Sequence, residues 1–200
     1  GYATAGPNPG GVSLGSAGRV TNSGTVNKVL NVNSSADYTY NGTIELNVAL
    51  TKSGAGKQVL GGTNTYRGPT TVSAGTLLIN GDNSGANGAI NVAAGATLGG
   101  SGILGGALTV ANGGTFAPGN SPGTLTTTTS AAFSNASVLN YEFLGTDTSV
   151  GGGNNDLFTG VINLTLDGVL NVNETVAGSF LSASLGDTWR LINYSGTFTN

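Results

Sequence analysis

Cysteine, histidine and methionine are all absent from this 200-residue chain, and Asp, Glu, Lys and Arg together make up only 8% of it. Without cysteine there is no disulfide frame and no thiolate metal site. Without histidine, general acid–base chemistry must rest on carboxylates and a few bases. The six basic residues (Arg19, Lys28, Lys52, Lys57, Arg67 and Arg190) are scattered, and the formal net charge is −3. No cluster exists to neutralise a phosphate backbone, so nucleic acid is not an expected partner. No apolar run approaches the ~20 residues of a membrane-spanning helix. The opening GYATAGPNPGG has neither the basic start nor the apolar centre of a signal peptide, so the chain reads as a mature product or an excerpt of a longer precursor.

What is abundant is glycine, 36 residues, with Asn, Thr and Ser in the places that Lys and Glu usually take. A glycine-rich, charge-poor chain can be a linker, but 38% of these residues are hydrophobic, and many alternate with Thr or Asn. That alternation marks folded β-structure, because disordered chains lack the apolar residues that offset chain entropy. Residues 1–18 read as an extended arm or a first frayed coil. Residues 19–125 carry short strands broken by Asn-Ser-Gly, Asn-Ser-Ser and Asn-Gly turns. Residues 126–200 have longer and more aromatic strands, such as Leu139, Tyr141 and Phe143 on one side of a run, and contain the only Trp, Trp189. No helical period is long enough to predict a helix.

One phrase occurs three times: Val72-x-x-Gly75-Thr76-Leu77, Val92-x-x-Gly95-Ala96-Thr97-Leu98, and Val110-x-x-Gly113-Gly114-Thr115-Phe116. A β-run, a glycine corner and a Thr-aliphatic restart recurring near twenty residues predict a coil that stacks on itself, a parallel β-solenoid. Inward Val, Leu and Ile then pile up roughly 4.8 Å apart, and outward Thr and Asn form ladders. At about twenty residues a coil, the chain predicts around ten coils and a rod of order 45–50 Å. Its two ends are open sheet edges that must be capped, twisted away or paired with another chain. The glycines at 54 and 56 read as corners, since no strand–turn–helix surrounds them to make a phosphate loop.

Leu50, Lys52, Gly54, Gly56, Leu60, Gly62, Asn64, Tyr66, Gly68, Thr71, Val72, Gly75, Thr76 and Leu77 together resemble the autotransporter-associated β-strand repeat of large exported bacterial passenger proteins. The later runs from Gly95 to Gly102 and from Ala117 to Leu125 are similar to the segments C-terminal to such repeats, and the tail from Asn155 to Phe198 is similar to the coils that close these regions. The resemblance implies a right-handed parallel β-helix at the bacterial cell surface, mostly non-catalytic, with a wider aromatic C-terminal section here.

Each candidate site has a plainer reading beside it. Asp147, Asp167 and Asp187 are each twenty residues apart and would stack as an acidic column if the terminal coils were twenty residues long; as turn residues they need no ligand. Gly151-Gly152-Gly153-Asn154-Asn155-Asp156-Leu157-Phe158 resembles a single calcium nonapeptide, whereas such sites need tandem copies. Asn33, Asn41, Asn135 and Asn173 open glycosylation triplets that an Asn/Thr-rich chain generates by chance. Lys28, Lys52 and Lys57 have the chemistry for isopeptide links, and Tyr66-Arg67 and the Tyr38/Tyr40 pair have that for stacking on sugars, although aromatic residues in coils usually pack. No catalytic, cofactor-binding or metal-binding residue is assigned, and no cofactor is implied. The expected function is a non-enzymatic extracellular rod. Its expected partner is itself, head to tail; surface glycans or matrix proteins are the partners if it is an adhesin. A polysaccharide-active β-helix enzyme, with clustered carboxylates, is the remote alternative.

Overall fold

A computed structural model describes residues 18–144, 155–174 and 188–200, and among them every regular element is a β-strand. All strand pairings between these elements are parallel, and the strands fall into three faces visited in turn by each coil. The first face stacks eight strands, from Lys28–Val32 at one end through Val48–Lys52, Thr70–Val72, Ile90–Val92, Leu108–Val110, Ala131–Phe133 and Leu164–Leu166 to Phe198–Thr199. The second stacks seven, from Tyr38–Tyr40 to Val169–Glu174. The third is divided into a three-stranded part (Arg19–Asn22, Thr43–Leu46, Thr65–Tyr66) and a five-stranded part running from Asp82–Asn83 to Ile192–Tyr194. The fold is the expected parallel β-solenoid.

The threefold phrase is the register of the stack. Val72, Val92 and Val110 are direct partners on the first face, and Leu77, Leu98 and Phe116 are partners on the second. All six are essentially inaccessible to solvent. Period-two alternation sends every second side chain into the core, so each strand contributes inward residues to columns that run the length of the rod. Gly75, Gly95 and Gly113 turn the corner between these faces with φ of 65°, 74° and 76°, a left-handed conformation that costs side chains with a Cβ.

Coil length is not constant. Leu30, Leu50, Thr70 and Ile90 sit on one another at steps of twenty residues. Ile90 to Leu108 takes 18, Leu108 to Ala131 takes 23, Ala131 to Leu164 takes 33, and Leu164 to Phe198 takes 34. The expectation of about ten coils is therefore corrected: among the described residues, eight strands on the longest face make a rod of about 34 Å. The extra residues enter at one corner, between the second face and the third. There the step from one strand to the next grows from Pro118–Thr124 to Phe143–Leu157 and then Glu174–Ile192 in successive coils, while the steps at the other two corners stay short. The terminal section is thus wider, as its composition suggested. Its core is aromatic: Phe116 lies 4.7 Å from Phe158 and 5.2 Å from Phe133 between ring centroids, and Phe143 meets Trp189 edge-on at 5.7 Å.

Candidate functional site

Among the buried polar side chains of the described residues, those at three places tie separate segments of the rod together. The first is Lys52. Strand alternation puts it on the same side as Leu50, so it occupies the column of Val32, Val72 and Val92 and is only 1% exposed. Its ammonium turns into the adjacent corner and donates to the backbone carbonyls of Gly54 and of Ala74, the latter at 3.2 Å. Burial holds its pKa below the ordinary lysine value, and Asp37 opposes that shift in part. It closes a corner whose carbonyls would otherwise be buried without donors.

The second is the seam where the third face divides. Asn64 faces inward and is fully buried. Its Oδ1 accepts from the Ile44 N–H at 2.8 Å in the coil before, and its Nδ2 donates to Asn83 Oδ1 at 2.8 Å in the coil after. The buried Tyr66 hydroxyl shares a 2.7 Å bond with Thr70, and burial pushes its pKa up to about 12 despite the bonds to Thr70 and Asn83. The side-chain ladder runs beside the backbone bond that crosses this division, from the Asn64 N–H to the Asp82 carbonyl at 2.9 Å.

The third is the junction where coils widen. Asp156 is 2% exposed. One carboxylate oxygen accepts from the Gly123 N–H and the other from the Glu142 N–H, each at 2.8 Å. Gly123 ends the corner 119–123, and Glu142 lies in the strand Val138–Phe143, so one carboxylate ties two separate segments together. A Cβ at Gly119, whose φ is +92°, would lie 2.0 Å from Asp156 Oδ1. Ser121, also left-handed with φ 59°, donates to Glu142 Oε2 at 2.7 Å. Beside it the buried Tyr141 hydroxyl has no hydrogen-bond partner among the described residues. Burial raises the Asp156 carboxyl to about 6; the two N–H bonds oppose the shift and the Glu142 charge adds to it. Sequence reading reached Asp156 only as part of the calcium-like nonapeptide, because nothing in Asn155-Asp156-Leu157 marks the acid as inward-facing.

The candidates drawn from the sequence take varied places. Asp167 is exposed, and its N–H bonds to the Phe133 carbonyl at 3.1 Å, so Ser134 underlies it. The twenty-residue acidic column is therefore corrected, since coils here take 33 and 34 residues; Asp147 and Asp187 themselves lie outside the described residues. So do Gly151 to Asn154 of the calcium-like loop. Its Asn155 is buried and donates to the Asp156 and Arg190 carbonyls at 2.7 and 3.2 Å. Asn33, Asn41, Asn135 and Asn173 are exposed. Lys28 is exposed, and Lys57 pairs with Asp37 at 3.2 Å. Tyr66 and Arg67 point to opposite sides, and Tyr40 is buried with its hydroxyl donating to the Gly18 carbonyl at 2.9 Å. Tyr66 and Tyr40 are thus packing residues, unable to stack on a sugar.

The rod's ends differ from its sides. Exposed large hydrophobic residues gather there: Val26, Val29 and Tyr38 at the first coils, and Ile162, Val169, Leu170, Val172, Tyr194 and Phe198 at the last. At the last coil a cavity of about 340 Å³ opens between the three faces, lined by Leu139, Leu164, Leu166, Trp189 and Ile192 among others.

Comparison with known proteins agrees with this architecture. Residues 50–79 match the family described as Passenger-associated-transport-repeat. The chain is 43% identical over 186 residues, 92% of its length, to a protein named adhesin BmaC autotransporter of Brucella suis biovar 1 (strain 1330), of which it spans only 5%. It is 42% identical over 101 residues, 46% of its length, to a protein named extracellular serine protease of Serratia marcescens, of which it spans 8%. The repeat, its register in the solenoid and the identity over nearly the whole chain converge: this is a passenger-type β-solenoid segment of the autotransporter-repeat family, belonging to an exported protein of the bacterial cell surface.

Proposed function

We propose that this segment is a non-enzymatic structural module, a rod that stacks end-on with other parallel β-coils, including those of a second copy, to build a surface fibre or appendage. The supporting observation is where the apolar surface lies. Large hydrophobic side chains are exposed at the two ends, where, among the described residues, the three faces also end on strands with one unpaired edge each. Such edges template further strands. The partner surfaces are different at the two ends, so the association is heterologous and runs on as a filament. Electron microscopy and light scattering of the purified 200-residue protein test this. Filaments with an axial repeat of about 38 Å, eight coils deep, are expected. Monodisperse single rods at every concentration would overturn self-association.

A second reading, an adhesin module for host or matrix glycans or proteins, is favoured by the name of the Brucella relative and by the longer stretches of chain that separate the second-face and third-face strands in the last coils. Loops on a rigid scaffold are where binding residues concentrate. Binding to a glycan and matrix-protein array that is lost when residues 145–154 are replaced by a short Gly-Ser link would support it. Binding that survives the replacement would remove the corner from the account.

A further inference from the structure

The Asp156 centre is built like a loaded catch. An ion buried without a counter-charge is held against its preference for water. The groups that face Asp156 can be named element by element. From the corner 119–123 come the Gly123 N–H and, through Ser121, the bonded Glu142 carboxylate. From the strand Val138–Phe143 come the Glu142 N–H and charge and the buried Tyr141 phenol, whose own pKa is pushed well up by burial and by the Asp156 charge. From the last coil, Arg190 meets the neighbouring Asn155 through its backbone carbonyl. No Lys or Arg charge acts on Asp156, and residues 145–154 and 175–187 contain no Lys or Arg. The corner that Asp156 holds also contains Ser121 in a left-handed conformation, a further cost in the closed arrangement.

We propose that the corner 119–123 is a protonation-controlled catch: with Asp156 ionised the corner opens readily from the rod, and with Asp156 protonated it is locked shut. The sign comes from linkage. Closed, the carboxyl titrates at about 6; open and solvated, it returns to the ordinary 3.8. Acid therefore favours the closed state, with the gain complete below the ordinary value and lost as pH rises through about 6. Neutral medium primes the corner to release the Pro118–Thr124 connection between the second and third faces.

The test is backbone amide hydrogen exchange on the intact protein at pH 4.5 and 7.5, corrected for intrinsic exchange. The opening equilibrium read by the Gly123 and Glu142 amides should be roughly 25-fold larger at pH 7.5, the factor set by the shift from 3.8 to about 6. The Leu98 amide, in the middle coils, should not change with them. No difference, or one that Leu98 shares, would overturn the proposal. Asp156→Asn should abolish the pH dependence, and Glu142→Gln, which removes the smallest contribution to the shift, should leave it somewhat smaller but present. Should Asp156→Asn fail to fold, the carboxyl carbon of Asp156 in the wild-type protein still decides: a titration midpoint at or below about 4, the ordinary carboxylate range, sinks the catch.

Discussion

The coils between Val48 and Val110 and those after Phe133 solve the same problem in different ways. In the middle, coils are close in length and much of each column repeats. Val72, Val92 and Val110 stack on one another and Leu77 on Leu98, steps run from 18 to 21 residues, and the buried polar side chains Lys52 and Asn64 serve backbone groups that the repeat leaves open. Toward the end, columns are kept while the residues in them change. Val110 is followed by Phe133 and Leu98 by Phe116, and a cluster of three phenylalanines fills the wider section. The middle owes its order to identity between coils. The end owes it to large side chains that interlock across coils.

The most disruptive way to break this comparison is at the joint. Phe116 is fully buried and touches both Phe133 and Phe158, so Phe116→Ala should cost about 3–5 kcal/mol. In a stack whose stability is a sum of nearest-neighbour terms, it should also uncouple the two regions. Urea unfolding monitored by Trp189 fluorescence, which reports only the last coils, should then precede the circular-dichroism transition. Coincident transitions would show that the regions remain one unit.

Asn64→Ala comes next. It leaves the Ile44 N–H and the Asn83 amide without their partners, a loss of about 2–3 kcal/mol, accompanied by faster hydrogen exchange at Ile44. Unchanged exchange there would mean that the side-chain ladder does not join the two parts of the third face. Lys52→Met probes the same regularity more gently. The apolar stem still fits the valine column, while the Gly54 and Ala74 carbonyls lose their donor, for a net cost of about 1–2 kcal/mol by denaturant titration. A stabilised variant would show that the column, not the corner, sets the energetics. At the far end, Asn171→Ala removes an exposed 3.1 Å bond to Asn140 and should change stability by less than about 0.5 kcal/mol.

The division between the two regions also explains what the sequence revealed. The recurring Val-x-x-Gly phrase was legible because repetition is physical here: Val72, Val92 and Val110 touch. Even so, Gly75 pairs with Ala96 rather than with Gly95, because the later corners hold one more residue. Lys52 was legible in principle, since alternation from Leu50 puts it inside, but its charge argued for the surface. The coil count and the acidic column failed for a single reason. Inserted residues at a corner change the spacing along the chain without changing the register between strands, so sequence distance stops measuring height along the rod. Asp156 was hidden for the same reason: its partners Gly123 and Glu142 are separated from it by 33 and 14 residues, neither of them a coil length of the repeat.

That decoupling of chain length from register bears on how such a rod can change. Closing a longer loop costs only about 0.6 kcal/mol for each doubling of its length. The connection that lengthens from Pro118–Thr124 to Phe143–Leu157 and Glu174–Ile192 can therefore accept or lose segments in small, nearly neutral steps while Leu139, Phe158 and Leu164 keep their places. One edge of the prism is free to diverge, and the other two, with their short corners, record the constraint.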